Sequence, residues 1–332
     1  MLLAAGCRLE NGFDTVVPVI IDPDTGNGDL SRTKDILRLY QQIRNQVDHP
    51  DGFFAQEMKT IHELADHSAT INPDFFQFRL TGVDGNSFRK YIGFDELGNK
   101  ADPGEDDRHF IRLLWSEANL DADISVGFKG NPHMGSVVLN QFTASDDFRR
   151  FGQTFSPGDA VFIINSIFGG TGAAGFPLLL KNLRGNSELP HRVHVKEAPI
   201  GAITYLPYFS LNRQEEINSE TFEEKARIAI DYYNRTIISQ SKVNSLYLIG
   251  NKGNTNVIPY AVGGKDQKNN DHFLELAGAL AILDFCRNTS LHAVSEGRAV
   301  NGTRVKEFGI ENDTETIGFG DLNLDDVKSL SG

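Results

Sequence analysis

A run of small residues between an apolar strand and an apolar helix has the composition of an anion-binding turn. Residues 169–175 read Gly-Gly-Thr-Gly-Ala-Ala-Gly and follow the apolar run 160–166. Backbone N–H groups converge in such a turn, and the start of the next helix adds positive partial charge, so phosphate is the expected ligand. The turn lacks the Lys-Ser/Thr pair of a Walker A loop and the Gly-x-Gly-x-x-Gly order of a dinucleotide site. A tight turn whose small residues permit close packing is the structural alternative.

Two aspartates follow another apolar run near the start of the chain. Residues 16–21 are typical of a strand buried on both faces, and Asp22 and Asp24 come directly after it. A calcium loop does not fit, because its fifth and twelfth positions are Gly26 and Thr33. The same aspartates also predict an Asx turn that leads into a capped helix.

The composition argues against several classes of protein. The 332 residues include 32 basic and 45 acidic side chains, a formal net charge of −13, which argues against a protein that mainly binds nucleic acid or an anionic membrane. No apolar run reaches about eighteen residues, so we expect no membrane insertion. Cys7 and Cys286 are too few and too far apart for a disulfide framework or a thiolate zinc site. We therefore expect a cytoplasmic globular protein.

Strands and helices alternate along the chain. The predicted strands are residues 16–21, 160–166, 200–206 and 245–250. The predicted helices are residues 30–47, 55–67, 108–117, 178–183, 221–239 and 272–287. This order predicts an α/β fold with a doubly wound, mostly parallel sheet flanked by helices, and with ligands at the carboxyl ends of the strands.

A second motif precedes the strand at 160–166. Residues 127–135 read Gly-Phe-Lys-Gly-Asn-Pro-His-Met-Gly. Together with residues 162–177, this motif resembles the tubulin/FtsZ superfamily of GTPases and indicates a bacterial tubulin-like protein. In FtsZ-like proteins a G-x-G-x-N-P-x-x-G loop precedes a helix, an apolar strand and a G-G-G-T-G-(S/T)-G signature. Phe168 stands where that family has its first glycine. The strand at 200–206, its Pro-aromatic turn and the next helix and strand continue the family order.

The resemblance implies that GTP or GDP binds with Mg²⁺ across the carboxyl ends of the strands. It places Asp22 and Asp24 at the loop near the magnesium ion. The residues that it implies for nucleotide binding belong to the two motifs and to turns after later strands: Gly130, Asn131, Pro132, Gly169, Gly170, Thr171, Gly172, Ala173, Asn251, Asn270 and Asp271. Amides at Asn251 and Asn270 do not force guanine over adenine.

Residues 320–327 are similar to the acidic synergy loop of the family, although the spacing is compressed. In tubulin-like polymers this loop completes hydrolysis in the neighbouring subunit. The resemblance therefore implies catalytic roles for Asn323, Asp325 and Asp326 and head-to-tail self-association into filaments. An ordinary N-cap before a terminal helix is the structural alternative for the same residues.

The resemblance also predicts a division of the chain. Residues 1–290 form the tubulin-like nucleotide-binding domain, with an insertion at about 48–107, and residues 291–332 hold the synergy-loop-like segment and the start of a truncated C-terminal region. The apolar residues 2–6 are expected to end the first helix of the family, without the strand and Gly-rich loop that precede that helix.

Two other functions compete with a GTPase. In a Rossmann-type NAD(P)-dependent oxidoreductase, Asp22 or Asp24 would accept the ribose hydroxyls, but the dinucleotide glycine motif is missing. A non-catalytic scaffold with a tubulin-like fold is the other alternative, and the altered glycine signature at Phe168 favours it.

Overall fold

The computed structural model describes residues 13–47, 54, 56–67, 72–97, 104–185, 188–211, 221–251, 257–258, 261, 263–270, 272–310 and 315–317. Its strands are β1 (Thr15–Val16), β2 (Glu57–Met58), β3 (Val161–Ser166), β4 (Ile200–Tyr205), β5 (Ser210–Leu211), β6 (Ser245–Ile249), β7 (Val257–Ile258), β8 (Val294–Ser295), β9 (Arg298–Ala299), β10 (Arg304–Phe308) and β11 (Glu315–Thr316).

The helices have the following bounds. They are α1 (Gly28–Gln46), α2 (Ile61–Ala65), α3 (Phe88–Tyr91), α4 (Gly104–Leu114), α5 (Glu117–Leu120), α6 (Pro132–Leu139), α7 (Asp146–Gln153), α8 (Gly170–Gly185), α9 (Arg192–Glu197), α10 (Phe222–Tyr233) and α11 (Leu274–Arg287). Short 3-10 turns are Pro73–Phe76, Phe94–Glu96, Asn140–Ala144, Gly264–Asp266 and Thr289–Leu291, and α10 continues into a π turn at Asn234–Ile238.

The centre of the fold is a five-stranded parallel sheet with the order β11-β10-β6-β4-β3. Its register aligns Ile163 with Ala202 and Ile164 with Ile203, so neighbouring residues of β3 belong to opposite faces. Among the described residues, three two-stranded pairs lie outside this sheet: parallel β1 with β2, parallel β5 with β7, and antiparallel β8 with β9.

Helices cover both faces of the sheet. On one face Ile163 and Ala202 belong to the same core cluster as Phe176 and Leu180 of α8. On the other face Ile203 and Tyr247 pack in a cluster with α11, which is buried along most of its length because both its neighbours and its own residues are apolar. The molecule is therefore a mixed α/β protein whose parallel sheet is flanked by helices, as the alternation of elements predicts. No helix in the described ranges has the length and apolar content needed to cross a membrane.

Most long elements match the sequence-based prediction, and four segments differ. The predicted helix at 55–67 is shorter, since Glu57–Met58 pairs with β1 and the helix begins only after Thr60. Thr60 and Glu63 form a reciprocal capping box, with bonds of 3.2 Å and 2.6 Å, which fixes the start of α2. The predicted strand at 16–21 is regular only at β1, with a further bridge between Ile20 and Gln77.

The other two differences concern α8 and the end of the chain. Residues 170–175 are helical and do not form an open turn, because α8 begins at Gly170 and continues through Pro177. Residues 304–308 form β10, which pairs in parallel with β6. This strand of the main sheet lies beyond the predicted domain boundary at residue 290.

Candidate functional site

The two glycine-containing motifs meet at the start of α8. A Cβ atom on Gly170 would lie 2.6 Å from the Cβ of Phe128 and 3.3 Å from the backbone nitrogen of Asn131. A Cβ atom on Gly135 would lie 2.7 Å from the carbonyl oxygen of Gly170. Glycine is needed at both positions because α6 and α8 approach one another through their backbones. The fold thus brings Gly130, Asn131 and Pro132 beside the start of α8.

The residues that precede α6 and α8 differ in their ability to cap the helix. The side chain of Asn131 accepts hydrogen bonds from the N–H groups of His133 (3.0 Å) and Met134 (3.3 Å), and so caps α6. The residue before α8 is Gly169, which has no side chain with which to cap the helix. The first N–H groups of α8 have no acceptor within the helix, and they carry the positive end of its dipole. This helix start can therefore receive an anion.

The glycines of α8 also hold the helix against β3. A Cβ atom on Gly172 would lie 2.6 Å from the carbonyl oxygen and 2.8 Å from the nitrogen of Ser166. Gly172 is therefore a residue whose small size permits close packing, as the structural alternative for the glycine run predicts. The N–H groups of residues 170–173 still belong to the first turn of a helix.

A lysine from another helix reaches the same place. Lys225 of α10 donates a hydrogen bond from its Nζ to the carbonyl oxygen of Gly130 (3.4 Å). Lys129 and Gly130 both have positive φ angles, 46° and 68°, which shape the turn that presents this carbonyl. Sequence reasoning missed Lys225, since no local motif marks it and only the tertiary fold brings it to the Asn131 loop.

A cavity of about 460 Å³ lies between the carboxyl ends of β3 and β4 and the amino end of α11. Its walls are mainly aromatic and apolar: Ile164, Ser166, Phe168, Ile203, Tyr205, Tyr208, Phe209, His272, Leu274, Glu275, Gly278 and Ile282. The rings of Tyr208 and His272 lie 4.9 Å apart, between centroids. Burial raises the pKa of Tyr205 and of Tyr208, so both phenols stay neutral near pH 7. The cavity suits a flat ring with polar edges.

Phe168 forms part of this aromatic wall. Its ring lies 5.3 Å from that of Phe209 and 5.4 Å from that of Phe222, and the residue is only 8% exposed. The large side chain of Phe168 therefore packs inward. Ser166 lines the cavity and its Oγ would lie 3.3 Å from a Cβ atom on Gly169, so the cavity adjoins the start of α8.

Asp22 and Asp24 form the Asx turn that the sequence allowed. The Oδ1 of Asp22 accepts a bond from the N–H of Asp24 (2.8 Å), and the Oδ2 of Asp24 accepts one from the N–H of Gly264 (2.7 Å). Burial raises the pKa of Asp22 to about 6. Across the described ranges, no group of three or more His, Cys, Asp or Glu side chains could hold a metal ion. These residues fit Mg²⁺ only as an ion held mainly by phosphate oxygens and water.

The loop at 263–270 is fastened to the start of α1. The carboxylate of Asp29 accepts bonds from the backbone nitrogen (3.0 Å) and the Nδ2 (2.8 Å) of Asn269. Asn270, the next residue, is exposed. Asn251 lies two residues after the end of β6, next to Gly250, whose backbone Gly309 approaches closely.

The structure therefore brings together part of the predicted site. The Asn131 loop and residues 169–173 are in contact, and Asp24 lies against the loop that leads to Asn270. Four predicted residues lie outside the described residues: Asp271, Asn323, Asp325 and Asp326. Sequence reasoning treated the turn at Pro207-Tyr208-Phe209 as a marker of the fold and missed its part in the cavity wall.

Comparison of the chain with protein-family models, with curated proteins and with solved structures finds no match in any of the three. These comparisons assign no family to the chain. Its function must therefore be argued from the geometry of the site.

Proposed function

We propose that this protein binds a guanine nucleotide, GTP or GDP, together with Mg²⁺, in the manner of the tubulin/FtsZ superfamily. One observation carries the proposal: the start of α8, which follows a glycine without a capping side chain, meets the Asn131 loop directly beside an aromatic cavity at the strand ends. A helix start that can receive an anion and a cavity that suits a flat ring are the two parts that a nucleotide needs.

In this proposal the phosphates lie against the N–H groups of Gly170, Thr171, Gly172 and Ala173. The ammonium group of Lys225 lies at the Asn131 loop and adds positive charge on that side. The base enters the aromatic cavity, where Tyr208 and His272 offer ring faces. Mg²⁺ bound to the phosphates would neutralise part of their charge, and Asp22 and Asp24 lie in the loop assigned to it.

Hydrolysis and assembly are the second part of the proposal. A water must be positioned in line with the terminal phosphate, and little covalent chemistry is asked of the protein. We assign that water to Asn323, Asp325 and Asp326 of a neighbouring subunit, in a head-to-tail filament. An isolated subunit would then bind nucleotide and hydrolyse it very slowly.

A thermal-shift titration with GTP, GDP, ATP and NAD⁺, each with and without Mg²⁺, tests nucleotide binding. A ligand that binds only the native state raises its melting temperature. We expect a Mg²⁺-dependent rise with GTP and a weaker one or none with ATP. A rise with NAD⁺ alone would favour the oxidoreductase, and no rise with any of the four would contradict the proposal.

Lys225 supplies a sharper test of the phosphate position. Lys225→Gln removes one charge from the Asn131 loop, so we expect about a tenfold loss of GTP affinity by calorimetry, equivalent to about 1.4 kcal/mol. Lys181→Gln is the matched control, because Lys181 lies exposed in the later part of α8. An equal loss of GTP affinity in both variants would mean that the effect comes from the overall charge of the protein and not from the position of Lys225.

A non-catalytic scaffold is the second candidate function, and Phe168 favours it. The phenylalanine fills space that a glycine would leave open, and Gly172 is fully explained by its contact with the backbone of Ser166. A scaffold would form filaments or a stable complex without phosphate release. Phosphate release measured alongside light scattering distinguishes the two functions.

A further inference from the structure

The loop at 263–270 connects two parts of the candidate site. At its first end, the N–H of Gly264 donates a hydrogen bond to the Oδ2 of Asp24 (2.7 Å). At its other end, the loop stops two residues before His272, whose ring belongs to the wall of the aromatic cavity. Two residues of chain reach at most about 7 Å. The position of the loop therefore limits the position of His272.

The loop contains no apolar side chain. Residues 263–270 read Gly-Gly-Lys-Asp-Gln-Lys-Asn-Asn, and none of them is buried. A segment with few buried apolar contacts opens at a low cost in free energy unless polar contacts hold it. The hydrogen bonds that the loop makes with its neighbours therefore decide where it lies.

Two charged side chains at the start of α1 bind one residue of the loop, Asn269. The carboxylate of Asp29 accepts bonds from the backbone nitrogen (3.0 Å) and the Nδ2 (2.8 Å) of Asn269. The Nη2 of Arg32 donates to the carbonyl oxygen of Asn269 (3.0 Å) and lies 3.3 Å from the Oδ1 of Asp29. Hydrogen bonds from or to ionised groups are stronger than those between neutral groups. Asn269 is thus held at its N–H, its side chain and its carbonyl oxygen.

The backbone of the loop also packs against α1 at a glycine. A Cβ atom on Gly28 would lie 2.8 Å from the carbonyl oxygen of Gln267 and 2.9 Å from that of Lys265. The carbonyl oxygen of Gln267 accepts a bond from the N–H of Asp29 (3.0 Å), which has no acceptor within the helix. A side chain at position 28 would therefore push the loop away from α1.

We propose that Asp29 is a positioning residue that clamps the loop at 263–270 to α1, keeps His272 in the cavity wall, and so slows the release of bound nucleotide. The clamp joins the turn at Asp24, on the side assigned to Mg²⁺, to the wall that receives the base. Nucleotide then leaves when the bonds of Asp29 break and the loop moves. This role in release rests on the proposed function, whereas the positions of the loop and of His272 can be measured without nucleotide.

Hydrogen exchange of the protein without nucleotide tests whether the loop moves as a unit. Asp29→Ala leaves the bond of Gly264 at the other end of the loop in place, so a local effect would be confined to Asn269. We expect the amides of both Asn269 and Gly264 to exchange about tenfold faster in Asp29→Ala. The matched control is Asp35→Ala, which removes an exposed partner of Arg38 on the same helix and should change neither amide. Faster exchange at Asn269 alone, at neither amide, or equally in the control would overturn the proposal.

Modification of His272 by diethyl pyrocarbonate tests the cavity wall, again without nucleotide. The reagent acylates an imidazole nitrogen, and mass spectrometry gives the rate for each histidine. We expect His272 to react about fivefold faster in Asp29→Ala, because a released loop exposes it, and at the wild-type rate in Asp35→Ala. His109, which is exposed on α4, is an internal reference whose rate should be equal in all variants. An unchanged rate at His272 would mean that the clamp does not position it, and the proposal would be wrong.

Gly28→Ala moves the loop by a different route and guards against a folding defect. Its methyl group meets carbonyl oxygens of the loop, whereas Asp29 is unchanged and alanine favours the helix. We expect the same changes at Gly264 and His272 as in Asp29→Ala. If Asp29→Ala alone produced them, the cause would be a damaged start of α1 and not the release of the loop, which contradicts the proposal.

Dissociation of a fluorescent GTP analogue tests the effect on the site. Displacement by excess GTP in stopped flow gives the dissociation rate, which we expect to be about tenfold higher in Asp29→Ala and unchanged in Asp35→Ala. If the wild type bound the analogue and the loop opened in Asp29→Ala without a change in this rate, the proposal would be wrong and the proposed function would stand. If the wild type bound no guanine nucleotide, the proposed function would fail, and with it the role of Asp29 in release, even where His272 had moved.

Discussion

The two ends of α11 meet the sheet in different ways. Near the carboxyl end, Asp284 accepts hydrogen bonds from the Oη of Tyr247 (2.6 Å) and from the Nζ of Lys306 (3.0 Å), and Arg304 lies 3.1 Å from the same carboxylate. Near the amino end, Leu274 and Gly278 face the aromatic cavity. One helix thus lies against a closed ionic network at one end and an open space at the other.

This contrast distinguishes the end of α11 that stabilises the fold from the end that can bind a ligand. A buried carboxylate is tolerated only when hydrogen bonds and opposite charges replace water, and Asp284 has these in full. The cavity at the other end has aromatic walls and few polar groups, so its walls are available to bind a ligand. The paired end should therefore govern stability, and the open end should govern binding.

The largest effect is expected at the paired end. Asp284→Ala leaves Lys306 buried without this carboxylate, so we expect a loss of about 3–5 kcal/mol in the free energy of unfolding, measured with urea. The control is Asp231→Ala, which removes an exposed pair with Arg235 and should cost less than about 0.5 kcal/mol. Similar costs in the two variants would remove the distinction between a paired core and a charged surface.

Two neighbouring isoleucines of β3 make the same comparison within one strand. Ile163 is 7% exposed and belongs to the core cluster with α8, whereas Ile164 is 49% exposed and lines the aromatic cavity. We expect Ile163→Ala to cost about 3 kcal/mol and Ile164→Ala less than about 1 kcal/mol in the same unfolding measurement. Equal costs would mean that the protein itself fills the aromatic cavity at Ile164.

Asp22 is a partly buried carboxyl group that lies beside a second carboxylate, Asp24, whereas Asp284 lies beside Lys306 and Arg304. Burial raises its pKa from 3.8 to about 6 in the folded protein, so the protonated form is the one that the fold favours. Its contribution to stability is fully present below pH 3.8 and is lost as the pH rises through 6. Between pH 4 and 7, the wild type should lose about 2–3 kcal/mol of unfolding free energy relative to Asp22→Asn. An unchanged difference across that range would show that the carboxyl is solvated.

Two glycines of α8 give the smallest predicted effect. Gly172→Ala places a methyl group against the backbone of Ser166 and should cost about 1–2 kcal/mol, with weaker GTP binding. Gly185→Ala meets nothing within 4 Å at the other end of the helix and should stabilise the protein by about 0.5 kcal/mol. If both variants were neutral, α8 would not depend on its approach to β3.

Local patterns predicted the long elements correctly because the sequence of each element, its apolar run or its helical periodicity, is enough to recognise it. The apolar runs that became β3, β4 and β6 and the periodic segment that became α1 were recognisable without partners. Asn27 and Asn131 cap their helices through bonds to residues two and three positions later, and such contacts are local. The helix predicted at 55–67 failed where pairing with β1 competed, because that pairing depends on a distant segment.

The candidate site was only half predictable. The two glycine motifs were visible as motifs, and their spacing agreed with a fold in which they meet. Lys225, the aromatic wall at Tyr208 and His272, and β10 were missed, because each gains its role from residues far away in the chain. The roles of Asn323, Asp325 and Asp326 stay predictions.

By itself, the sequence determined the class of fold, the α8 glycines that permit close approach, and the aspartates that close a turn after the first apolar run. Those properties follow from steric limits and from hydrogen bonds between near neighbours. The tertiary structure alone decided that Gly170 contacts the Asn131 loop and that an aromatic cavity opens beside it. A cavity is defined by what several distant segments leave unfilled, and no local pattern of residues encodes that.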